Sequence, residues 1–149
     1  MIFCAIALSS VTALASGTET QFQKHFNHQN GVAIHGYDVV SYFNGIALPG
    51  SPSFEVVYEN VRFQFSSEDN ATEFDLNPEK YIPAYGGWCA TAIGMMNTKL
   101  DVTPDSFLIQ DGILYLFSTS MGPAKDQWIQ GQPGLRQSAD ANWSVIYSN

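Results

Sequence analysis

Alternating apolar and polar residues predict two β-hairpins. The alternation runs through residues 54–58 and again through 61–65, which is the period-two pattern of half-buried strands. The pair Glu59-Asn60 lies between these stretches, and Asn tolerates the positive φ of a tight turn. Two further apolar stretches flank Asp111-Gly112, one of the strongest short hairpin signals.

Short helices are predicted from capping residues. The Asp38 carboxylate can cap a turn through residue 43 by accepting from its first N–H groups. Ser66 or Ser67 can cap a helix whose first turn carries Glu68 and Asp69, the sign that the helix dipole favours. Together the patterns predict an α+β fold, in which an antiparallel sheet built from two hairpins carries short helices packed against it.

The N-terminal segment has the pattern of an export signal. Residues 2–8 are apolar apart from Cys4, and Ala13-Leu14-Ala15 matches the small-residue motif that precedes signal cleavage. A spanning helix needs about 20 apolar residues, so this run is too short to cross a membrane. Residues 1–15 are therefore predicted to be a signal peptide, and the mature chain to be periplasmic or secreted. The alternative is a buried N-terminal helix or strand.

The remaining chain divides into a polar lead-in, residues 16–30, and one domain, residues 31–149. Cleavage after Ala15 would leave Cys89 as the one cysteine, so no internal disulfide is expected. Charged residues make up 13% of the chain and aromatic residues another 13%, which favours a packed core over disorder. The net charge of −8 disfavours nucleic acid and anionic lipid as partners. No later stretch predicts a membrane span.

Two stretches contain candidate site residues. In residues 85–89, the aromatic rings of Tyr85 and Trp88 and the thiol of Cys89 surround two glycines. Such a stretch can line a pocket, with the thiol activated at a helix start, or Cys89 can be a buried small hydrophobe. In the second stretch, His35 lies beside Tyr37 and Asp38, where Asp38 either orients the imidazole or caps the following turn.

Other soft ligands are explained without a metal. His25 and His28 are spaced to share one helical face, but histidines in a polar lead-in are usually solvated. Met95 and Met96 follow Cys89 in an apolar stretch and are expected to fill the core. No serine-hydrolase elbow, zinc-protease motif, phosphate-binding glycine loop or Cys-x-x-Cys occurs. The chain is therefore predicted not to be an enzyme, although Cys89 and His35 could in principle form a nucleophilic pair.

Six short blocks in order carry a resemblance to a known family. They are residues 36–43 (GYDVVSYF), 61–68 (VRFQFSSE), 77–81 (NPEKY), 85–90 (YGGWCA), 111–116 (DGILYL) and 139–143 (ADANW). In this order the blocks resemble exported YHS-domain proteins, with the last two similar to the family's C-terminal extension. The resemblance covers residues 36–146.

The resemblance implies a metal-binding domain, with copper often suggested. The two cysteines of the family would fall at Ser66 and Asn70, and neither side chain can replace a thiolate for copper(I). The remaining metal candidates are Cys89 and His35, with copper or another transition metal as the candidate cofactor. The sequence thus predicts an exported, non-enzymatic module that binds a metal ion or small ligand through His35, Tyr37, Asp38, Tyr85, Trp88 and Cys89. The alternative is a structural or protein-interaction module without a small-molecule site.

Overall fold

The computed structural model describes residues 17–149. The predicted signal peptide and Cys4 lie outside these residues. Within the described residues, no helix has the length and apolar character that crossing a bilayer requires.

The larger sheet contains the first predicted hairpin. Its four strands are β1 (His28–Gln29), β2 (Val32–Ala33), β3 (Ser51–Tyr58) and β4 (Val61–Phe65). They lie in the order β1-β2-β4-β3. The β3–β4 pair is antiparallel, whereas β2 runs parallel to β4. The turn residues Glu59 and Asn60 have φ of 49° and 65°. A tight two-residue hairpin turn requires such positive φ values at both positions.

The second hairpin forms a separate sheet from β5 (Phe107–Gln110) and β6 (Ile113–Leu116). Its turn residues Asp111 and Gly112 have φ of 54° and 74°. The predicted α+β class is confirmed. The arrangement differs in detail, because the hairpins lie in two sheets and one of these sheets includes a parallel pair.

Six α-helices and three 3-10 turns complete the part of the fold formed by residues 17–149. The helices are α1 (Gln21–His25), α2 (Glu68–Leu76), α3 (Pro78–Tyr81), α4 (Ala90–Met96), α5 (Ala124–Gln130) and α6 (Gly134–Ser148), and the 3-10 turns are Ile34–Gly36, Ser41–Asn44 and Ala84–Gly87. The Ser67 hydroxyl accepts from the backbone N–H of Asn70 at 3.1 Å, so Ser67, and not Ser66, caps α2.

Aromatic side chains form the centre of the core. Helix α2 packs on the larger sheet through Phe74, whose ring stacks on Phe63 with centroids 4.6 Å apart. Helix α5 packs against β6 through Trp128, whose ring centroid lies 4.9 Å from that of Tyr115. All four rings are buried, so ring packing joins both sheets to their helices.

Two expectations about solvent exposure are wrong. The lead-in is part of the fold, because His25, Phe26 and Asn27 are buried and β1 pairs with β2. Met95 and Met96, expected in the core, are 58% and 47% exposed. The burial of the lead-in depends on contacts with distant segments, which local polarity does not show.

Two three-residue segments with left-handed backbone face each other. Ile34, His35 and Gly36 have φ of 44°, 54° and 78°. The second segment is 85–87, with φ of 55°, 60° and 77°. A Cβ added at Gly87 would collide with Cδ1 of the buried Ile34. Gly87 is therefore needed both for its backbone conformation and for this close approach.

We expect Gly87→Ala to destabilise the fold more than Gly112→Ala. Both glycines have positive φ, but a Cβ at Gly112 would have no atom within 4 Å. The left-handed backbone alone should cost Gly112→Ala about 1–2 kcal/mol. Crowding should add about 1–3 kcal/mol at Gly87. Denaturant unfolding of both variants measures the difference, and equal losses would show that Ile34 can move aside.

Candidate functional site

An aromatic pocket lies between the first and last helices. Its volume is about 170 Å³. Eight residues line it, and five of them are aromatic. The full set is Phe22, Phe26, Ile82, Pro83, Tyr85, Gly86, Trp143 and Tyr147. We call this site the aromatic pocket. Concave, mostly apolar sites of this kind are the usual places for small ligands.

Helical spacing supplies two walls of the aromatic pocket. Phe22 lies in α1, and Phe26, four residues later, is the C-cap of that helix. Their rings stack with centroids 4.7 Å apart. Trp143 and Tyr147 have the same spacing on α6, with centroids 5.9 Å apart. Residues spaced i and i+4 lie on one helix face, so each wall follows directly from the local sequence.

Gly86 allows the third wall to approach α6. A Cβ at Gly86 would lie 2.8 Å from Cη2 of Trp143 and 2.9 Å from the carbonyl oxygen of His25. The glycine also has a φ of 60°, which L side chains rarely adopt. No other residue would leave room for the Trp143 indole at this point.

Tyr85 is fixed by a hydrogen bond to α6. Its hydroxyl donates to Oδ1 of Asp140 at 2.8 Å. Burial, followed by the bond to the Asp140 carboxylate, raises the pKa of the Tyr85 phenol well above its usual range. The phenol therefore stays protonated and cannot serve as a base at neutral pH.

Two further hydrogen bonds hold the end of α1 against residues 84–88. The Trp88 indole N–H donates to the carbonyl oxygen of His25 at 2.7 Å. The backbone N–H of Asn27 donates to the carbonyl oxygen of Gly86 at 2.7 Å. Trp88 thus supports the aromatic pocket from outside, since it is not among the lining residues.

His25 lies buried beside the pocket walls. Its ring centroid is 5.4 Å from that of Tyr147 and 6.4 Å from that of Trp143. Nδ1 lies 2.9 Å from Nζ of Lys99. Nε2 is buried and has no hydrogen-bond partner within residues 17–149. Desolvation, with the charges of Lys99 and Lys24, lowers the pKa of His25, so the neutral ring accepts from Lys99 at Nδ1 and carries its proton at Nε2.

His35 pairs with an aspartate, but not with its neighbour. Its Nε2 lies 2.9 Å from Oδ1 of Asp101, the oxygen to which the Asn27 side chain donates at 2.9 Å. Desolvation acts to raise the Asp101 pKa, but hydrogen bonds from Asn27, His35 and the N–H of Val102 outweigh it and lower that pKa. The His35 side chain is 26% exposed. The alternative in which Asp38 orients His35 is therefore wrong.

Asp38 is a fully buried carboxylate with five hydrogen-bond donors. Oδ1 accepts from the backbone N–H groups of Val40 and Ser41 at 2.9 and 3.1 Å, as a capping carboxylate would, although the 3-10 turn begins only at Ser41 and its N-cap is Val40. Oδ2 accepts from the N–H and hydroxyl of Ser66 at 2.9 and 2.6 Å and from the Asn70 amide at 2.7 Å. We call Asp38, Ser66 and Asn70 the Asp38 cluster. All five donors are uncharged, so hydrogen bonding replaces the lost hydration of the carboxylate.

Cys89 is completely buried, immediately before α4. Its backbone N–H donates to the carbonyl oxygen of Leu100 at 2.9 Å. The neighbouring α4 residues Ala90 and Ile93 are also buried. The structure thus favours the core interpretation of Cys89 over the reactive, accessible thiol.

The six predicted site residues do not surround one cavity. Tyr85 lines the aromatic pocket and Trp88 supports it, whereas Cys89 is in the core. Tyr37 is half-buried, and its backbone bridges Pro49. His35 and Asp38 belong to different hydrogen-bond networks. Within residues 17–149, no three His, Cys, Asp or Glu side chains are grouped to hold a metal ion, and the pairing of Cys89 with His35 as metal ligands stays a prediction.

Sequence reasoning missed the pocket walls on α1 and α6. The signal was the aromatic pair spaced i and i+4 at each end of the chain, 22 with 26 and 143 with 147. No local sequence feature predicts that these two ends, more than a hundred residues apart, pack against each other. Comparison with family models, with curated proteins and with solved structures gave no match to this chain.

We expect Asp38→Asn to destabilise the fold by about 3 kcal/mol or more. The amide would offer one acceptor oxygen where two now serve five donors, and each stranded buried donor costs about 1–3 kcal/mol. Asp75→Asn is the control, because Asp75 is exposed on α2 and should change stability by less than about 0.5 kcal/mol. Chemical denaturation measures both, and similar losses would contradict the role given to the Asp38 cluster.

The lowered pKa of His25 predicts acid-sensitive folding. The unfolded imidazole takes up a proton near pH 6.5, whereas the folded one does so only at lower pH. The free energy of unfolding should therefore fall as pH falls from about 6.5 towards the folded pKa. His25→Gln should flatten this dependence, measured by urea unfolding between about pH 7 and 5. His28→Gln, which removes an imidazole three residues away, is the control, and equal flattening in both variants would contradict the assignment to His25.

Proposed function

We propose that this chain is an exported, non-enzymatic binding module whose ligand is a small, largely apolar molecule held in the aromatic pocket. The observation that carries the proposal is the pocket itself, with rings from α1, from residue 85 and from α6 around about 170 Å³. An apolar cavity of about 150 Å³ in another protein stays dry and binds benzene. The aromatic pocket is of this size and offers ring faces and edges for stacking.

The polar groups of Tyr85 and Trp88 at the aromatic pocket are already used within the protein, whereas the buried Nε2 of His25 beside its walls has no partner within residues 17–149. The Tyr85 hydroxyl donates to Asp140, and the Trp88 indole donates to the backbone of His25. A ligand would therefore gain affinity mainly from apolar contact and ring packing. Because these hydrogen bonds fix the walls in place, little ordering would be needed on binding.

The titratable groups nearby support a binding role more than a catalytic one. Burial keeps the Tyr85 phenol protonated, and the neutral His25 ring already accepts from Lys99. Cys89 is fully buried. A thiol nucleophile needs access and an activating base, and the surroundings of Cys89 offer no access.

We also propose kinship with the YHS-domain family. The positions aligned with the family's two cysteines, Ser66 and Asn70, both donate to Oδ2 of Asp38, and Asn70 Nδ2 lies 3.5 Å from Ser66 Oγ. Two side chains that converge in this way would suit a two-thiolate site. In this chain they hold a carboxylate instead, which supports a small organic ligand over copper. Export likewise rests on the sequence pattern of residues 1–15.

Indole as a probe tests the aromatic pocket. At ten times its Kd, a ligand specific for the folded state should stabilise the protein by about 1.4 kcal/mol. We expect a raised Tm with indole and shifted amide resonances at residues 22, 86 and 143. Ile82→Trp, which places a larger ring in the pocket lining, should abolish both effects.

Ile129→Trp is the matched control, because Ile129 is exposed on α5 and is outside the aromatic pocket. It should bind indole as the parent protein does. Equal binding by both tryptophan variants, or resonance shifts confined to other residues, would rule out the aromatic pocket as the site.

A further inference from the structure

The outer edge of β3 and the facing side of α2 form a second concave surface. Its volume is about 400 Å³, and it shares no lining residue with the aromatic pocket. We call it the α2–β3 groove. We propose that the α2–β3 groove binds an extended, basic segment of a partner protein, which joins β3 as an added strand. This function is separate from ligand binding in the aromatic pocket.

Strand β3 has a free edge. In the order β1-β2-β4-β3, it pairs with β4 on one side, and no strand within residues 17–149 pairs with the other side. At eight residues it is the longest strand described. Val57 on this strand is 63% exposed. A long edge strand offers unpaired N–H and C=O groups to another chain, and a partner can bind by using them.

The usual protection of such an edge is weak in β3. The sequence of β3 is SPSFEVVY, which contains one charged residue, Glu55, and no lysine. Pro52 and the register shift between Ser51 and Glu55 interrupt its first half. Residues 55–58 pair regularly with β4, so an added strand is expected to align along this second half and to reach Phe54.

One face of α2 forms the opposite wall. Glu68, Ala71, Thr72 and Asp75 line the α2–β3 groove, and the spacing i, i+3, i+4, i+7 places them on one side of the helix. The buried Phe74 fixes α2 to the sheet. The small side chains of Ala71 and Thr72 leave space between helix and strand for an extended peptide. Addition of an extended peptide to an exposed sheet edge is a recurring mode of recognition.

The charge of the α2–β3 groove selects the partner. The carboxylates of Glu68 and Asp75 on α2 belong to its lining, which includes no Lys or Arg. The Glu55 side chain accepts from Gln64 at 3.1 Å and lies on the other face of the sheet, because side chains alternate along a strand and Phe63 and Phe65 face α2. Complementary charge speeds encounter and excludes wrong partners. The complement here is an extended segment in which Lys or Arg alternates with apolar residues, one of which would contact Phe54.

The same charge argues against a second copy of this chain as the occupant. Pairing two β3 edges would bring two acidic grooves together, and like charges across strands are destabilising. The net charge of −8 on each copy adds to this repulsion. A basic partner is therefore favoured over self-association.

An alternating Lys–Val octapeptide with a fluorescent label is the probe. We expect saturable binding by fluorescence anisotropy, weaker at higher salt, with shifted amide resonances at residues 53–58. The same peptide with N-methyl groups on alternate amides keeps its charge but loses donors along one edge, and it should bind at least tenfold more weakly. A Glu–Val octapeptide should not bind.

Two variants and one control locate the site. Asp75→Lys reverses a groove charge on α2 and Thr72→Trp fills the space beside α2, so each should weaken binding at least tenfold. Glu79→Lys makes the same charge change on α3, outside the α2–β3 groove, and should weaken binding less than threefold. The proposal is overturned if the N-methylated peptide binds as well as the parent peptide, or if all three variants bind alike. Concentration-dependent dimerisation through residues 53–58 would likewise overturn it in favour of a second copy.

Discussion

Asn27 hydrogen-bonds to three other segments of the chain, at Ile34, at residues 86–87 and at Asp101. Its backbone N–H donates to Gly86 and its carbonyl oxygen accepts from Ile34. Its side-chain amide donates to the carbonyl oxygen of Gly87 at 3.1 Å and to Asp101 at 2.9 Å. Asn27 is almost completely buried, so these hydrogen bonds are not in competition with water. The aromatic pocket depends on them, because they hold the end of α1 against residues 86 and 87.

The two left-handed segments are tolerated because this network fixes them. A β-branched residue with positive φ, such as Ile34, is a rare and costly conformation. Ile34 is nevertheless fully buried, and its N–H donates to the carbonyl oxygen of Asn27 at 3.1 Å. The conformation lets His35 reach Asp101 and lets Ile34 pack against Gly87. Local strain is thus offset by burial and by hydrogen bonds made at a distance.

The Asp38 cluster plays a similar part at the start of α2. Asp38 links the turn that follows β2 to the start of α2, through Ser66 and Asn70. A buried carboxylate without a cation is stable only when its oxygens are fully hydrogen-bonded. The side chains at positions 66 and 70 therefore have to be donors in this chain.

Local features of the fold could be predicted from the sequence, and long-range ones could not. Both hairpin turns, the backbone N–H bonds accepted by Asp38 and the cap at Ser67 follow from interactions within a few residues. The partner of His35 could not be predicted in this way, because Asp101 lies 66 residues away. The burial of Cys89 also depends on packing around α4, and a glycine-rich neighbourhood suggested access instead. The walls of the aromatic pocket come from both ends of the described chain, so only tertiary structure brings them together.

A chain of ring contacts connects the aromatic pocket to β3 and α2, the two elements that form the α2–β3 groove. Phe22 of the pocket meets Tyr58 of β3 edge to face at 5.4 Å, and Tyr58 meets Phe74 of α2 at 6.2 Å. Contiguous packing of this kind can carry coupling between sites only if some element has two arrangements. Phe74 is fully buried and its ring stacks on Phe63, so displacing α2 would break core packing. The two sites are therefore expected to fill independently, with Tyr58 as a shared structural support.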